Sequence, residues 1–119
     1  MKVAVIGSRS IGVVDFKKYL PDEIDEIISG GAKGVDQLAA WYAKKENIKL
    51  TEIYPDYRRY GKGAPIKRND EIIDRSDIVL AIWDGKSRGT KYVIEKCKKI
   101  NKPLKVVLNT DDEINTANT

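Results

Sequence analysis

The sequence predicts a single α/β domain built on a doubly wound, five-stranded parallel sheet. Three observations carry this expectation: apolar, β-branched runs alternate with segments of helical period, glycine-bearing turns close the strands, and the helical segments are long enough to act as crossovers. Lys2 to Ile6 is a near-continuous apolar run ended by Gly7, as expected for a strand buried on both faces. Val14 to Leu20 reads as a short helix with Phe16, Tyr19 and Leu20 on one side and Pro21 closing it. Glu23 to Ser29 reads as the second strand, running into Gly30-Gly31. Val35, Leu38, Ala39 and Tyr42 fall at helical spacing, which predicts a helix over 34–46, and Leu50 to Tyr54 forms a third strand before Pro55.

The stretch from Pro55 to Pro65 reads as the one long loop. A helix over 65–75 has proline in its first turn, where no hydrogen bond is lost, with Ile66 and Ile73 expected to face the core. Asp77 to Trp83 is a fourth strand, and a helix over 90–101 is expected to bury Val93, Ile94, Cys97 and Ile100. Lys105 to Leu108 forms the fifth strand after Pro103. Right-handed crossovers between these strands make a Rossmann-like sheet of order 3-2-1-4-5. The domain is expected to occupy residues 1–108, with the polar tail 109–119 frayed.

Composition narrows the chemistry. The chain has 119 residues, 41% hydrophobic and 34% charged, without an apolar run of the ~18 residues a membrane span needs. Met1-Lys2 leads directly into Val3-Ala4-Val5-Ile6, too short for a signal-peptide core, so no membrane association and cytoplasmic residence are expected. Cys97 is the single cysteine and reads as a buried structural thiol. There is no histidine, which removes Ser-His-Asp and Cys-His nucleophile activation together with histidine-ligated metals. No cofactor and no metal site are expected. The formal charge is +4, and the basic residues cluster: Arg58, Arg59, Lys62, Lys67 and Arg68 stand in one acid-free segment beside Tyr54, Tyr57 and Tyr60.

In a doubly wound sheet, ligands bind outside the carboxyl ends of the strands where the winding direction reverses, here between the first and fourth strands. Three loops end at that edge: Gly7-Ser8-Arg9-Ser10, Ser29-Gly30-Gly31-Ala32-Lys33-Gly34-Val35-Asp36, and Trp83-Asp84-Gly85-Lys86-Ser87-Arg88-Gly89-Thr90. Each is small, glycine-bearing and cationic, and the last two open into helices, whose N-termini attract anions. Taken singly, each such turn is ordinary. Asp36 serves either as a first-turn acid or as a polar ligand contact, Thr90 either as a helix cap or as a phosphate contact, and Arg68 and Asn69 read by themselves as a solvated helix turn. Trp83 reads as core, and the tyrosines leave base stacking open.

Gly7-Ser8-Arg9, the Ser29 to Asp36 loop, Lys67-Arg68-Asn69 and Ser87-Arg88-Gly89-Thr90, in this order, resemble the SLOG superfamily, and within it the small YspA-like group. The resemblance covers residues 1–108. It implies a Rossmann-like fold that binds nucleotides, nucleotide-derived signals or nucleic acid, with ligand contacts from Gly7, Ser8, Arg9, Ser29, Gly30, Gly31, Gly34, Asp36, Arg68, Asn69, Ser87, Arg88, Gly89 and Thr90. Arg9, Arg68 and Arg88 would neutralise phosphate charge. The DNA-processing protein A family, which binds single-stranded DNA, is similar in the Ser-Gly-Gly-Ala-x-Gly-Val-Asp turn, the Arg-Asn helix and the Ser-Arg-Gly-Thr region. The Lonely Guy phosphoribohydrolases carry Pro-Gly-Gly-x-Gly-Thr and a catalytic glutamate two positions on. Gly89-Thr90 matches that pattern, whereas Lys86-Ser87-Arg88 and Tyr92 depart from it.

The primary expectation is therefore a module that binds or senses a phosphorylated nucleotide-like ligand, with no catalytic residue assigned. A glycosidase using Asp36, Asp84 or Glu95 and a single-stranded nucleic-acid binder are the alternatives. A homodimer is a further expectation, from the resemblance alone.

Overall fold

The computed structural model describes residues 1–109. The sheet contains β1 (Lys2–Gly7), β2 (Glu26–Ser29), β3 (Lys49–Glu52), β4 (Ile78–Trp83) and β5 (Leu104–Leu108), all parallel, in the order β3-β2-β1-β4-β5. The expected Rossmann-like architecture and strand order are both present. The helices are α1 (Phe16–Tyr19), α2 (Val35–Lys45), α3 (Tyr57–Tyr60), α4 (Ala64–Arg75) and α5 (Arg88–Ile100).

β1 lies at the centre, so its alternate side chains serve two cores. Val3 and Val5 join Ile27, Val35, Ala39 and Phe16 beneath α1 and α2. Ala4 and Ile6 join Ile28, Ile72, Val93 and Cys97 beneath α4 and α5. Cys97 is fully buried, and burial pushes its thiol pKa up, which suits a packing role.

Several boundaries move, each for a physical reason. β2 begins at Glu26 rather than Glu23 because β1 offers partners only from Lys2, which pairs with Glu26. β3 stops at Glu52, opposite Ser29, where β2 ends. The segment read as one long loop contains α3 and a 3₁₀ turn over Gly61–Gly63. Asp56 nucleates α3 by accepting the Arg59 amide at 3.2 Å, a capping signal present in the sequence. Ile66 is 49% exposed although it shares nearly one helix face with Ile73; it lies in the first turn of α4, where Ala64 is the buried residue. Ile100, the last residue of α5, lies at the edge of its buried stripe and is also exposed. The tail expected to fray lies outside the described residues from 110 onward. Asn109 itself is tied back, its amide donating to the Trp83 carbonyl at 2.8 Å. Among the described residues, no helix is long and apolar enough to cross a membrane.

Candidate functional site

The loops after β1, β2 and β4 and the face of α4 enclose a cleft of about 380 Å³ at the carboxyl edge of the sheet, on the reversal between β1 and β4. That volume is near the lower end of the roughly 300–1,000 Å³ of small-molecule sites. Of the residues expected from sequence, Gly7, Arg9, Gly30 and Asp36 line it from the first two loops. Arg68 and Asn69 line it from α4, and Ser87, Gly89 and Thr90 from the start of α5. Ile6 and Ile72 supply an apolar floor.

Ser8, Ser29, Gly31, Gly34 and Arg88 do not line the cleft. Ser8 is buried; its hydroxyl donates to Ser87 Oγ at 3.1 Å and accepts the Asp84 amide at 3.0 Å, so it joins the β1 and β4 loops. Ser29 is fully buried, and its hydroxyl has no partner among the described residues. Gly31 carries the Tyr54 ring against its Cα, and Gly34, at φ 76°, passes so close to the first loop that a Cβ would meet Ser8 O at 2.5 Å. Arg88 is exposed beside the cleft.

Arg68 is the best-prepared group at the site. It is half-buried, and its Nε donates to Asn69 Oδ1 at 2.8 Å while Nη1 donates to the Gly30 carbonyl at 2.8 Å. It forms no ion pair among the described residues. Burial lowers its pKa, opposed by the nearby Asp36. An oriented guanidinium with unused donors and no pairing carboxylate is a binding element for a planar or tetrahedral anion. Gly30 is required by this arrangement, since a Cβ there would lie 2.7 Å from Arg68 Nη1 and 2.9 Å from Asp36 Oδ2.

Two uncapped helix starts add positive potential. Neither Gly34, before α2, nor Ser87, before α5, makes a side-chain cap hydrogen bond; the Ser87 hydroxyl is engaged by Ser8. The first amides of a helix have no intrahelical acceptor, which leaves those of α5 beside the cleft available to an anion. Thr90 is the third residue of α5 and not its cap, because the helix begins at Arg88.

Sequence reasoning did not assign Ser10 to the site and considered Asp84 only as an alternative carboxylate, yet both line the cleft. Burial opposes ionisation of Asp84, but hydrogen bonds from Ser10 and the Lys86 and Ser87 amides outweigh it and hold its pKa down at about 2. Its position directly after a buried parallel strand was the available signal. Asp36 differs. Burial raises its pKa against the opposing Ala32 amide and Arg68, and Oδ1 has no partner among the described residues. Trp83 is half-buried, and its indole nitrogen donates to the Ser87 carbonyl at 3.0 Å, securing the β4 loop.

Tyr92 and Glu95 do not line the cleft. The Tyr92 hydroxyl donates to Asp70 Oδ1 at 2.7 Å, which pushes its pKa up to about 12, and Glu95 is exposed and pairs with Lys91. No group of side chains able to hold a metal ion is present among the described residues. Comparisons of the chain with protein-family models, with curated proteins and with solved structures return no match.

Proposed function

We propose that this chain is a binding or sensing module for a nucleotide or nucleotide-derived ligand, of the YspA-like SLOG type and acting in the cytoplasm. The observation that carries the reading is Arg68: a half-buried guanidinium, pinned by Gly30 and Asn69, without an ion-pair partner among the described residues, on the wall of a nucleotide-sized cleft. The ligand phosphate sits between Arg68, Arg9 and the amides at the start of α5. Asp36 and Asp84 on the same rim favour a ligand that brings hydroxyl donors as well as negative charge, which a ribose phosphate does and inorganic phosphate does not.

The test is binding of AMP and ADP-ribose by calorimetry and thermal unfolding. A ligand at a hundredfold excess over its dissociation constant should stabilise the fold by about 2.7 kcal/mol. Arg68→Ala should reduce affinity at least tenfold. If a broad nucleotide panel neither binds nor stabilises the protein, the reading is wrong. Affinity that falls steeply with salt, seen only with oligonucleotides, would instead favour single-stranded nucleic acid.

A further inference from the structure

We infer that a second cleft, on the other side of Arg68, is a base-stacking subsite, so that the ligand of the proposed nucleotide site spans two clefts with Arg68 between them. This rests on the phosphate reading above and extends it to the base. The second cleft, of about 490 Å³, lies between the β3–α4 connection, α4 and α5, and Arg68 is in the wall of both. Its rim carries Tyr54, 61% exposed, and Tyr60, 39% exposed. Tyr57, 59% exposed, belongs to the same short helix as Tyr60 and is close enough to Arg68 to influence its charge.

Both rings are held in place. Tyr54 packs on Gly31, in the loop whose neighbours Gly30 and Ala32 line the first cleft, so its ring stands beside the phosphate site. Arg59 and Lys67 sit 5.2 Å and 5.9 Å from the Tyr60 ring centroid, which orients that ring by cation–π attraction. Exposed aromatic faces in ordered positions favour flat apolar partners, and a nucleobase is such a partner. The charge of the second cleft also decides what enters it. Asp56, Asp70, Glu71 and Asp74 line it together with Arg59, Lys67, Arg68 and Lys96, so its charges balance, and its carboxylates offer acceptors to a base that presents amino donors. A purine mononucleotide meets these conditions, with phosphate in the first cleft and base in the second.

The experiment compares AMP, ribose 5-phosphate and inorganic phosphate by calorimetry on the full chain. Aromatic stacking is worth roughly ten- to a hundredfold in affinity, so AMP should bind at least tenfold tighter than ribose 5-phosphate. Tyr60→Ala should remove that preference while leaving ribose 5-phosphate affinity unchanged. Because Tyr54 packs on the glycine loop, Tyr54→Phe should keep the preference and Tyr54→Ala should lose it. Equal affinity of the wild type for AMP and ribose 5-phosphate, or a preference that survives both alanine variants, overturns the base subsite and leaves the phosphate reading intact. Absence of binding by all three compounds overturns the base subsite, and absence of binding across the broad nucleotide panel overturns the phosphate reading as well.

Discussion

Gly89→Ala separates a glycine kept for a ligand from one kept for the fold. Gly89 is the second residue of α5, its φ is negative, and a Cβ built on it meets no atom of the described residues within 4 Å beyond its own turn. Glycine is less favourable than alanine in a helix by about 0.5–1 kcal/mol, so the substitution should stabilise the free protein by about 0.5 kcal/mol in this first turn. The same methyl stands where Gly89 lines the cleft, beside the amides proposed to hold the phosphate. It should therefore weaken AMP binding at least tenfold, a loss of about 1.4 kcal/mol, in a protein that is more stable than its parent. Urea unfolding gives the first quantity and calorimetry at constant salt the second. Gly12→Ala, also in open space but outside the cleft, should leave AMP affinity unchanged. If Gly89→Ala is as stable as expected and binds AMP as well as the parent, the anion does not sit over the start of α5, and that part of the mechanism is refuted.

Gly34→Ala should act in the opposite way. The residue adopts φ 76° and ψ −126°, and its Cβ would meet Ser8 O at 2.5 Å and Arg9 Cα at 2.6 Å, so a loss of roughly 3 kcal/mol in urea unfolding is expected; a change below about 1 kcal/mol would contradict the packing described. In contrast to Asp84, Asp36 should contribute less to the stability of the free protein at neutral pH than in acid. Its folded pKa is raised above the ordinary 3.8, so its favourable contribution is complete below that value and is lost as pH rises through the folded pKa. Asp36→Asn should flatten this dependence and stabilise the neutral-pH protein by about 1 kcal/mol, and unfolding curves in which the variant is the weaker at neutral pH would count against it. Incubation with AMP should release no adenine, and Tyr92→Glu should not create the activity, because position 92 faces Asp70 on α4 and lies outside the cleft lining. Chromatographic detection of base release that disappears in Asp36→Asn or Asp84→Asn, with AMP binding retained, would establish a glycosidase instead.

The arrangement of the fold was legible in the order of residues because it depends on local period and on general rules of connection. Continuous apolar runs at Val3–Ile6 and Ile78–Ile82, separated by helical segments, leave few ways to bury both faces of a parallel sheet, and right-handed crossovers then set the order β3-β2-β1-β4-β5. The same topology brings the loops after β1, β2 and β4 to one edge, so Gly30, Asp36 and Thr90 could be placed together before any side chain was seen, whereas Arg68 was joined to them by the family resemblance alone. Tertiary structure decided what each side chain does there. Ser8 and Gly34 share the glycine loops with true cleft residues but are consumed in loop-to-loop packing, which depends on distances of a few tenths of an ångström that no spacing rule encodes. Arg68 could be read as a surface cation until its hydrogen bond to Gly30, remote in sequence, showed it held at the cleft. Asp36 and Asp84 are chemically identical in the sequence. They become a carboxyl that resists ionisation and one that is ionised even in acid because burial dominates at the first and donated hydrogen bonds at the second.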